Sequence, residues 1–182
     1  MRSHSAPDLE VLRTRVLAAI RTVPDFPSPG VQFMDIMPVL GNAELLKDVI
    51  SGLVAPWWDA RITHVAGIEG RGFILGAPMA IALGTGFIAL RKPGKLPWHT
   101  QRQEYALEYG VGTLEVHADA CPPAARVLVV DDVLATGGTA RAACDLIQRV
   151  GGEVVGCSFL LQVTGLKGLE RLDDIPAECL IP

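Results

Sequence analysis

The sequence predicts an α/β fold with a central, mostly parallel sheet flanked by helices, and three observations carry the prediction. Residues 127–130, Val-Leu-Val-Val, are apolar without alternation, which is typical of a strand buried on both faces of its sheet. Residues 63–68 read as a second buried strand. Both segments pass into a glycine-containing turn and then into a helical pattern. That order is how α/β proteins connect neighbouring parallel strands.

Apolar residues at helical spacing predict the helices. Ser5 and Asp8 can form the amino-terminal cap of the first one, whose apolar stripe consists of Leu9, Leu12, Val16, Leu17 and Ile20. Further helices are predicted over residues 45–54, 73–83, 140–150 and 166–172. Prolines and glycine make residues 25–30 a rigid turn.

The remaining segments alternate between strands and one long loop. Extended segments are predicted over residues 31–36, 87–90, 154–163 and 178–181, and a hairpin over residues 104–110 and 112–116. Residues 91–103 are basic, punctuated by proline and without period. A loop of this length in a compact domain is usually functional or mobile.

Composition indicates a folded globular protein and excludes several classes of function. The 182 residues suit one domain, residues 1–182, with a substantial core. A net charge of −4 argues against a nucleic-acid surface or a polybasic membrane patch. The four cysteines lack metal-finger spacing and predict thiols in a reducing compartment. With no apolar secretory core at its start and no membrane-length segment, a cytoplasmic protein is expected.

The strand over residues 127–130 leads into the strongest motif of the chain. Asp131 and Asp132 follow it, then two apolar residues and the small-residue turn Ala135-Thr136-Gly137-Gly138-Thr139. Glycines let backbone N–H groups approach an anion, and the threonine hydroxyls add donors. The Lys-Ser or Lys-Thr pair of the ATPase loop is missing. The motif therefore predicts an anion cradle of another kind at the carboxyl end of a strand.

The same motif resembles the phosphoribosyl-diphosphate signature of type I phosphoribosyltransferases. The resemblance implies the fold of that family, in which a small hood covers the base site beside the parallel sheet. It also implies that residues 135–139 bind the 5′-phosphate of the sugar. Asp131 and Asp132 would face the ribose hydroxyls, which also coordinate Mg²⁺, so the metal would travel with the substrate.

Residues 24–36, Pro-Asp-Phe-Pro-Ser-Pro-Gly-Val-Gln-Phe-Met-Asp-Ile, resemble the hood of adenine phosphoribosyltransferases. The resemblance implies a hood over residues 23–40, preceded by an amino-terminal helix and a frayed start in residues 1–22. Phe33 would stack on adenine, Val31 would read the edge of the base through its backbone, and Val163 would lie on the other side of the ring. Met34 stands where many members carry arginine, which changes any side-chain contact from that position.

Two further segments resemble the same family. The turn Glu69-Gly70-Arg71 follows the strand over residues 63–68, and matches a loop that binds pyrophosphate. Residues 91–109 are similar to the flexible catalytic loop, which implies that Arg91, Lys92 and Lys95 help to neutralise pyrophosphate. Glu108 falls on the position that handles a proton on the purine. The family is usually dimeric, so a homodimer is implied.

Together, these resemblances predict transfer of phosphoribosyl from its diphosphate to adenine, which gives AMP and diphosphate in purine salvage. One alternative keeps the reaction and changes the base to hypoxanthine, guanine or xanthine. A second alternative is a regulator with the same fold that binds nucleotide without turnover.

Overall fold

A computed structural model describes residues 8–106, 110–172 and 174–182. Its strands are β1 (Arg21–Pro24), β2 (Gln32–Asp35), β3 (His64–Ile68), β4 (Gly86–Leu90), β5 (Thr100–Ala106), β6 (Val111–His117), β7 (Arg126–Leu134), β8 (Glu153–Gln162) and β9 (Ala177–Ile181). Its helices are α1 (Leu9–Ala19), α2 (Met37–Leu40), α3 (Ala43–Val54), α4 (Arg71–Leu83) and α5 (Gly138–Arg149). Two 3₁₀ turns cover Ala55–Trp57 and Gly168–Leu172.

The central sheet is parallel and has the spatial order β4-β3-β7-β8-β9. This confirms the predicted fold class. Its central strand β7 contains the run Val127–Val130, in which each residue is fully buried. Leu128 and Val130 enter one core with α1, α3 and α4, whereas Val127 and Val129 enter a second core with α5. The apolar run does not alternate because helices cover both faces of the sheet.

Two antiparallel hairpins lie outside the central sheet. In the segment predicted as the hood, β1 pairs with β2 so that Val23 faces Phe33. The second hairpin pairs β5 with β6, as predicted, but β5 begins at Thr100 and not at residue 104. Its first residues are polar, so the sequence shows no apolar alternation there that would have predicted their pairing with β6.

The helices agree with the predictions except at three places. Asp8 caps α1 through bonds from the N–H groups of Glu10 and Val11, and Ser5 lies outside the described residues. Only Leu12 and Val16 of the predicted stripe are buried, whereas Leu9 is 44% and Leu17 50% exposed. The short helix α2 was not predicted, and the predicted helix over residues 166–172 is a 3₁₀ turn. Among the described residues, the helices are too short or too polar to cross a bilayer.

Candidate active site

The predicted anion cradle lies where β7 passes into α5. Gly137 precedes the helix with a φ of +77°, a left-handed conformation that glycine adopts without strain. The first N–H groups of a helix have no partner inside it and are available to an anion. A cavity of about 70 Å³ opens here, and its lining includes all five predicted phosphate-binding residues: Ala135, Thr136, Gly137, Gly138 and Thr139.

The back of the cradle is packed against the 3₁₀ turn near the carboxyl end of the chain. A Cβ on Gly137 would meet the carbonyl oxygen of Gly168 at 2.5 Å. A Cβ on Gly168 would in turn collide with the carbonyl oxygen of Ala135. Two glycines therefore allow two backbones to approach more closely than side chains permit, and this contact fixes the path of the cradle.

The acidic pair at the end of β7 lies beside the cradle. Asp132 is only 4% exposed, and its Oδ2 is 2.7 Å from the Nε of Arg71. Within the described residues, Oδ2 of Asp132 has no hydrogen-bond partner, so the contact with Arg71 is an ion pair. The Asp131 Oδ1 accepts the N–H of Asp132 at 2.9 Å. Burial and, next, the neighbouring Asp132 carboxylate raise the pKa of Asp131 well above its ordinary value.

Gly72 provides the space that Asp131 occupies. A Cβ on Gly72 would lie 2.9 Å from both the Asp131 Oδ1 and the carbonyl oxygen of Val130. The first turn of α4 thus approaches the end of β7 directly. The glycine after Arg71 therefore brings the arginine turn and the acidic pair together.

A cleft of about 280 Å³ joins the two predicted anion sites. Its lining consists of Ile68, Glu69, Gly70, Arg71, Lys92, Tyr105, Leu114, Asp131, Asp132 and Thr139. Cationic and acidic side chains thus face one space that adjoins the cradle. Of the predicted pyrophosphate-binding residues, Arg91 and Lys95 lie outside this lining, and Lys95 is exposed.

Glu69 holds the basic loop. Its carboxylate accepts the backbone N–H of Lys92 at 2.7 Å and two longer bonds from the Arg91 guanidinium at 3.3 and 3.4 Å. These donors, the Lys92 N–H first, lower the pKa of Glu69. Its own N–H donates to the carbonyl of Leu90 at 2.8 Å. The carboxylate and the backbone N–H of Glu69 are thus both hydrogen-bonded within the protein, and a carboxylate repels a diphosphate. Glu69 therefore supports the loop.

Arg71 of the cleft contacts the segment predicted as the hood. The Arg71 guanidinium lies over the ring of Phe33, 5.3 Å from its centroid, and Phe26 meets the same ring edge-on at 5.1 Å. Val31 is 38% exposed, and its N–H donates within the hood to the Ser28 carbonyl at 3.2 Å. The Met34 side chain packs against the core, not over the cleft.

The other residues predicted to act near the base are placed differently. Val163 is half-buried and packs against the core, and its N–H donates to the Leu134 carbonyl at 2.9 Å. It lies outside the cleft lining. Glu108 lies outside the described residues, so its predicted proton-handling role remains a prediction.

Three residues near the cleft were missed from the sequence. Tyr105 and Leu114 line it from the β5–β6 hairpin. Glu115 is 4% exposed and accepts the N–H of Gly94 from the basic loop at 3.0 Å. A glutamate between Leu114 and Val116, within an apolar stretch of a strand, was the available signal for a buried charge.

The donor set fits a magnesium ion that arrives with its substrate. Within the described ranges, no group of three or more His, Cys, Asp or Glu side chains could hold a metal ion. Asp131 and Asp132 nevertheless present two carboxylates at one cleft. Mg²⁺ is commonly held by one or two carboxylates together with substrate oxygens and water, and not by an all-protein cage.

Known proteins are similar to this chain in sequence and in fold. Residues 40–180 match the family model described as the phosphoribosyl transferase domain. An adenine phosphoribosyltransferase from Thermobifida fusca is 55% identical over 161 residues, covering 88% of this chain and 92% of that relative. The crystal structure of adenine phosphoribosyltransferase from Rhodothermus marinus has a TM-score of 0.90 and 52% identity, over 94% of this chain and 98% of that one.

A third relative was crystallised with ligands. Adenine phosphoribosyltransferase from Saccharomyces cerevisiae, in complex with adenine and an imino-altritol bisphosphate, has a TM-score of 0.89 and 33% identity. The match covers 94% of this chain and 99% of that one. Sequence identity, fold and coverage agree, and the chain belongs to the adenine phosphoribosyltransferase family.

Proposed function

We propose that this protein transfers phosphoribosyl from 5-phosphoribosyl 1-diphosphate to adenine and releases AMP and diphosphate, a purine-salvage reaction. One observation carries the proposal. The 280 Å³ cleft has acidic side chains, two cationic side chains and Thr139 of the phosphate cradle in its lining. A phosphorylated ribose with a diphosphate leaving group needs amide and hydroxyl donors at its 5′-phosphate, carboxylates at its ribose hydroxyls and cations at its diphosphate.

The reaction breaks the bond between the anomeric carbon and the diphosphate oxygen, and a ring nitrogen of the base forms the new bond. Positive charge develops on the sugar and negative charge on the departing diphosphate. Asp131 and Asp132 hold the ribose hydroxyls and face the developing cation. Residues 135–139 anchor the 5′-phosphate. Placement and electrostatics thus supply most of the catalysis.

The leaving group is assigned to the turn after β3 and to the basic loop. Gly70 contributes its backbone, and Arg71 and Lys92 contribute positive charge at the cleft. Arg91 and Lys95 act from the loop, and Glu69 keeps that loop in place through the Lys92 N–H. Asp131 and Asp132 would hold a Mg²⁺ ion together with the substrate, and that ion would supply further neutralisation of the diphosphate.

Adenine is assigned to the hood side of the cleft. Phe33 provides the stacking surface, Val31 the backbone that reads the edge of the base, and Val163 the apolar contact opposite. Glu108 takes or gives the proton on the purine. The support for these roles is the family membership and the position of Phe33 beside Arg71.

The proposal also covers the oligomeric state and the cellular location of the enzyme. It works as a homodimer in the cytoplasm, as the family resemblance implies. Its four cysteines are free thiols, which a reducing compartment preserves. Analytical ultracentrifugation tests the dimer, since a single species at the mass of one chain would contradict it.

Turnover of defined bases tests the proposed reaction. The protein is incubated with phosphoribosyl diphosphate, Mg²⁺ and adenine, hypoxanthine, guanine or xanthine in turn, and the nucleotide formed is measured. AMP from adenine at the highest kcat/KM is expected. Product mainly from another base would move the assignment to that base. Binding of nucleotide without any product would favour a regulator.

Removing both acids tests the ribose site. In Asp131→Ala with Asp132→Ala, we expect kcat/KM to fall by about 100-fold or more, because the charge that faces the developing cation is lost. The fold should persist, since Arg71 is 33% exposed at its side chain and can be solvated without its partner. Asp119→Ala, at an exposed position, is the control. Undiminished turnover of the double variant would contradict the assigned role.

A further inference from the structure

Glu115 is a buried carboxylate outside the residues to which the proposed reaction assigns a role. It lies on β6 between the buried Leu114 and Val116, and it is 4% exposed. Its Oε2 accepts the Gly94 N–H at 3.0 Å, and its Oε1 is 3.7 Å from an Arg102 guanidinium nitrogen. Burying a carboxylate costs free energy unless donors replace the lost water. The Gly94 N–H of the basic loop is the closer of these two donors.

The backbone of Glu115 holds the same loop at its start. The Arg91 N–H donates to the Glu115 carbonyl at 2.8 Å, and the Glu115 N–H donates to the Arg91 carbonyl at 2.7 Å. This antiparallel bridge lies beyond the end of β4. Glu115 therefore contacts the loop at two points, through its main chain at Arg91 and through its side chain at Gly94.

The turn over residues 91–95 is consequently held from both sides. Glu69 accepts the Lys92 N–H at 2.7 Å, and Glu115 accepts the Gly94 N–H. Residue 93 is proline and has no N–H. The Arg91 side chain closes the turn through a bond to the Lys95 carbonyl at 3.1 Å. Each available N–H of residues 92–94 thus donates to a carboxylate, and Lys92 lines the cleft from this turn.

We infer that Glu115 is a positioning residue that holds the turn over residues 91–95, and through it the charge of Lys92, at the diphosphate end of the cleft. This inference rests on the proposed function for its substrate. Glu115 does not itself line the cleft, and its negative charge would repel a diphosphate there. Its effect on the substrate passes through the turn.

Three variants separate positioning from general stability. Glu115→Ala removes the acceptor, Glu115→Gln keeps an acceptor without the charge, and Val116→Ala shortens a buried neighbour on the same strand that packs in the core. In Glu115→Ala, we expect KM for phosphoribosyl diphosphate to rise about tenfold, since a hydrogen bond to a charged group is lost. KM for adenine should stay within about twofold, and Glu115→Gln should recover part of the loss because it retains a weaker acceptor.

Tryptic cleavage gives a readout that does not depend on activity. The Lys95–Leu96 bond follows the turn, and trypsin does not cut the Lys92–Pro93 bond. Cleavage after Lys95 should accelerate about tenfold in Glu115→Ala, relative to the Lys167–Gly168 bond of the same molecule. Val116→Ala should leave this ratio unchanged. If Glu115→Ala does not fold, Glu115→Gln carries both measurements.

The possible outcomes are distinct. A KM for phosphoribosyl diphosphate and a cleavage ratio that match those of Val116→Ala would overturn the inference. A wild-type protein that forms no nucleotide from any base would overturn the proposed function, while the cleavage ratio would still test the hold of Glu115 on the turn.

Discussion

Asp131 and Asp132 are adjacent in the chain, but their carboxylates have different surroundings. Asp132 pairs with Arg71, whereas Asp131 accepts the N–H of Asp132 and lines the cradle as well as the cleft. Burial and the Asp132 charge raise the pKa of Asp131 above its ordinary value of 3.8. The folded protein therefore binds a proton at Asp131 more tightly than the unfolded chain does. Stability from this residue falls as the pH rises from the ordinary pKa through the raised one.

Replacing Asp131 by asparagine should therefore stabilise the free protein while it removes activity. In Asp131→Asn, we expect a higher Tm at pH 8, by about 2–4 °C for each kcal/mol gained. The gain should shrink as the pH is lowered, because the wild-type carboxyl then becomes protonated and resembles the amide. Scanning calorimetry across this pH range measures both effects. Asp59→Asn, at an exposed position, is the control, and a Tm of Asp131→Asn below that of wild type at pH 8 would contradict the prediction.

Residues that are adjacent in sequence could be expected to lie together in the fold. Ala135 to Thr139 line one cavity because five consecutive residues between a strand and a helix have little freedom to separate. The contacts of Glu69 and Glu115 could not be predicted in this way. Their partners are the N–H groups of Lys92 and Gly94, which lie more than twenty residues away in sequence. A contact of that kind depends on the packed fold, and no spacing in the sequence indicates it.

The connection between β7 and α5 depends on the 3₁₀ turn behind it. Gly168 has no Cβ, so the turn can approach the carbonyl of Ala135 and the side chain of Leu134 closely. The helix start and the turn therefore form one packed unit, although thirty residues separate them. Displacing either element should move the N–H groups of the cradle.

Gly168→Ala should accordingly weaken phosphate binding. The new Cβ would lie 2.8 Å from Cγ of Leu134 and closer still to the Ala135 carbonyl. We expect a loss of about 1–3 kcal/mol of stability and a higher KM for phosphoribosyl diphosphate, measured by denaturant unfolding and steady-state kinetics. Gly165→Ala is the matched control, since Gly165 has a positive φ of 89° but open space around it. It should lose stability without a change in KM, and equal KM effects in both variants would refute the packing argument.

At the same scale, the start of β5 shows why an element boundary was missed. Residues Thr100 to Gln103 are polar, and their strand is maintained by pairing with β6. Arg149 at the end of α5 adds a bond to the Arg102 carbonyl at 2.6 Å and a contact with Gln103. Main-chain pairing and a distant arginine stabilise this strand, and neither produces a hydrophobic period.

The sheet as a whole explains why the site lies where it does. From β3 the chain crosses through α4 to β4 on one side, and from β7 it crosses through α5 to β8 on the other. The strand order thus reverses between β3 and β7. In open α/β sheets, ligands bind outside the carboxyl ends of the strands at such a point. The parallel fold was predictable from the apolar runs, whereas the spatial order of the strands is a property of long-range pairing that those runs do not contain.

The contacts of Arg71 predict that ligands at the two ends of the cleft change each other's affinity. Its guanidinium lies over Phe33, 5.3 Å from the centroid, and its Nε is 2.7 Å from Asp132. An anion that draws Arg71 away from Phe33 would expose the ring on which a base is proposed to stack. Diphosphate and adenine should then show positive thermodynamic linkage, in which each raises the affinity for the other by the same factor.

Calorimetric titration of adenine measures this linkage. With Mg²⁺ present throughout, the Kd for adenine should fall about fivefold or more when pyrophosphate is added. In Arg71→Ala the ring is uncovered from the start, so the Kd should not respond to pyrophosphate. Identical adenine affinities in wild type with and without pyrophosphate would contradict the linkage. If the linkage is found, one arginine connects the base side and the diphosphate side of the cleft without any movement of the sheet, as a shared, exchangeable partner of ring, acid and anion.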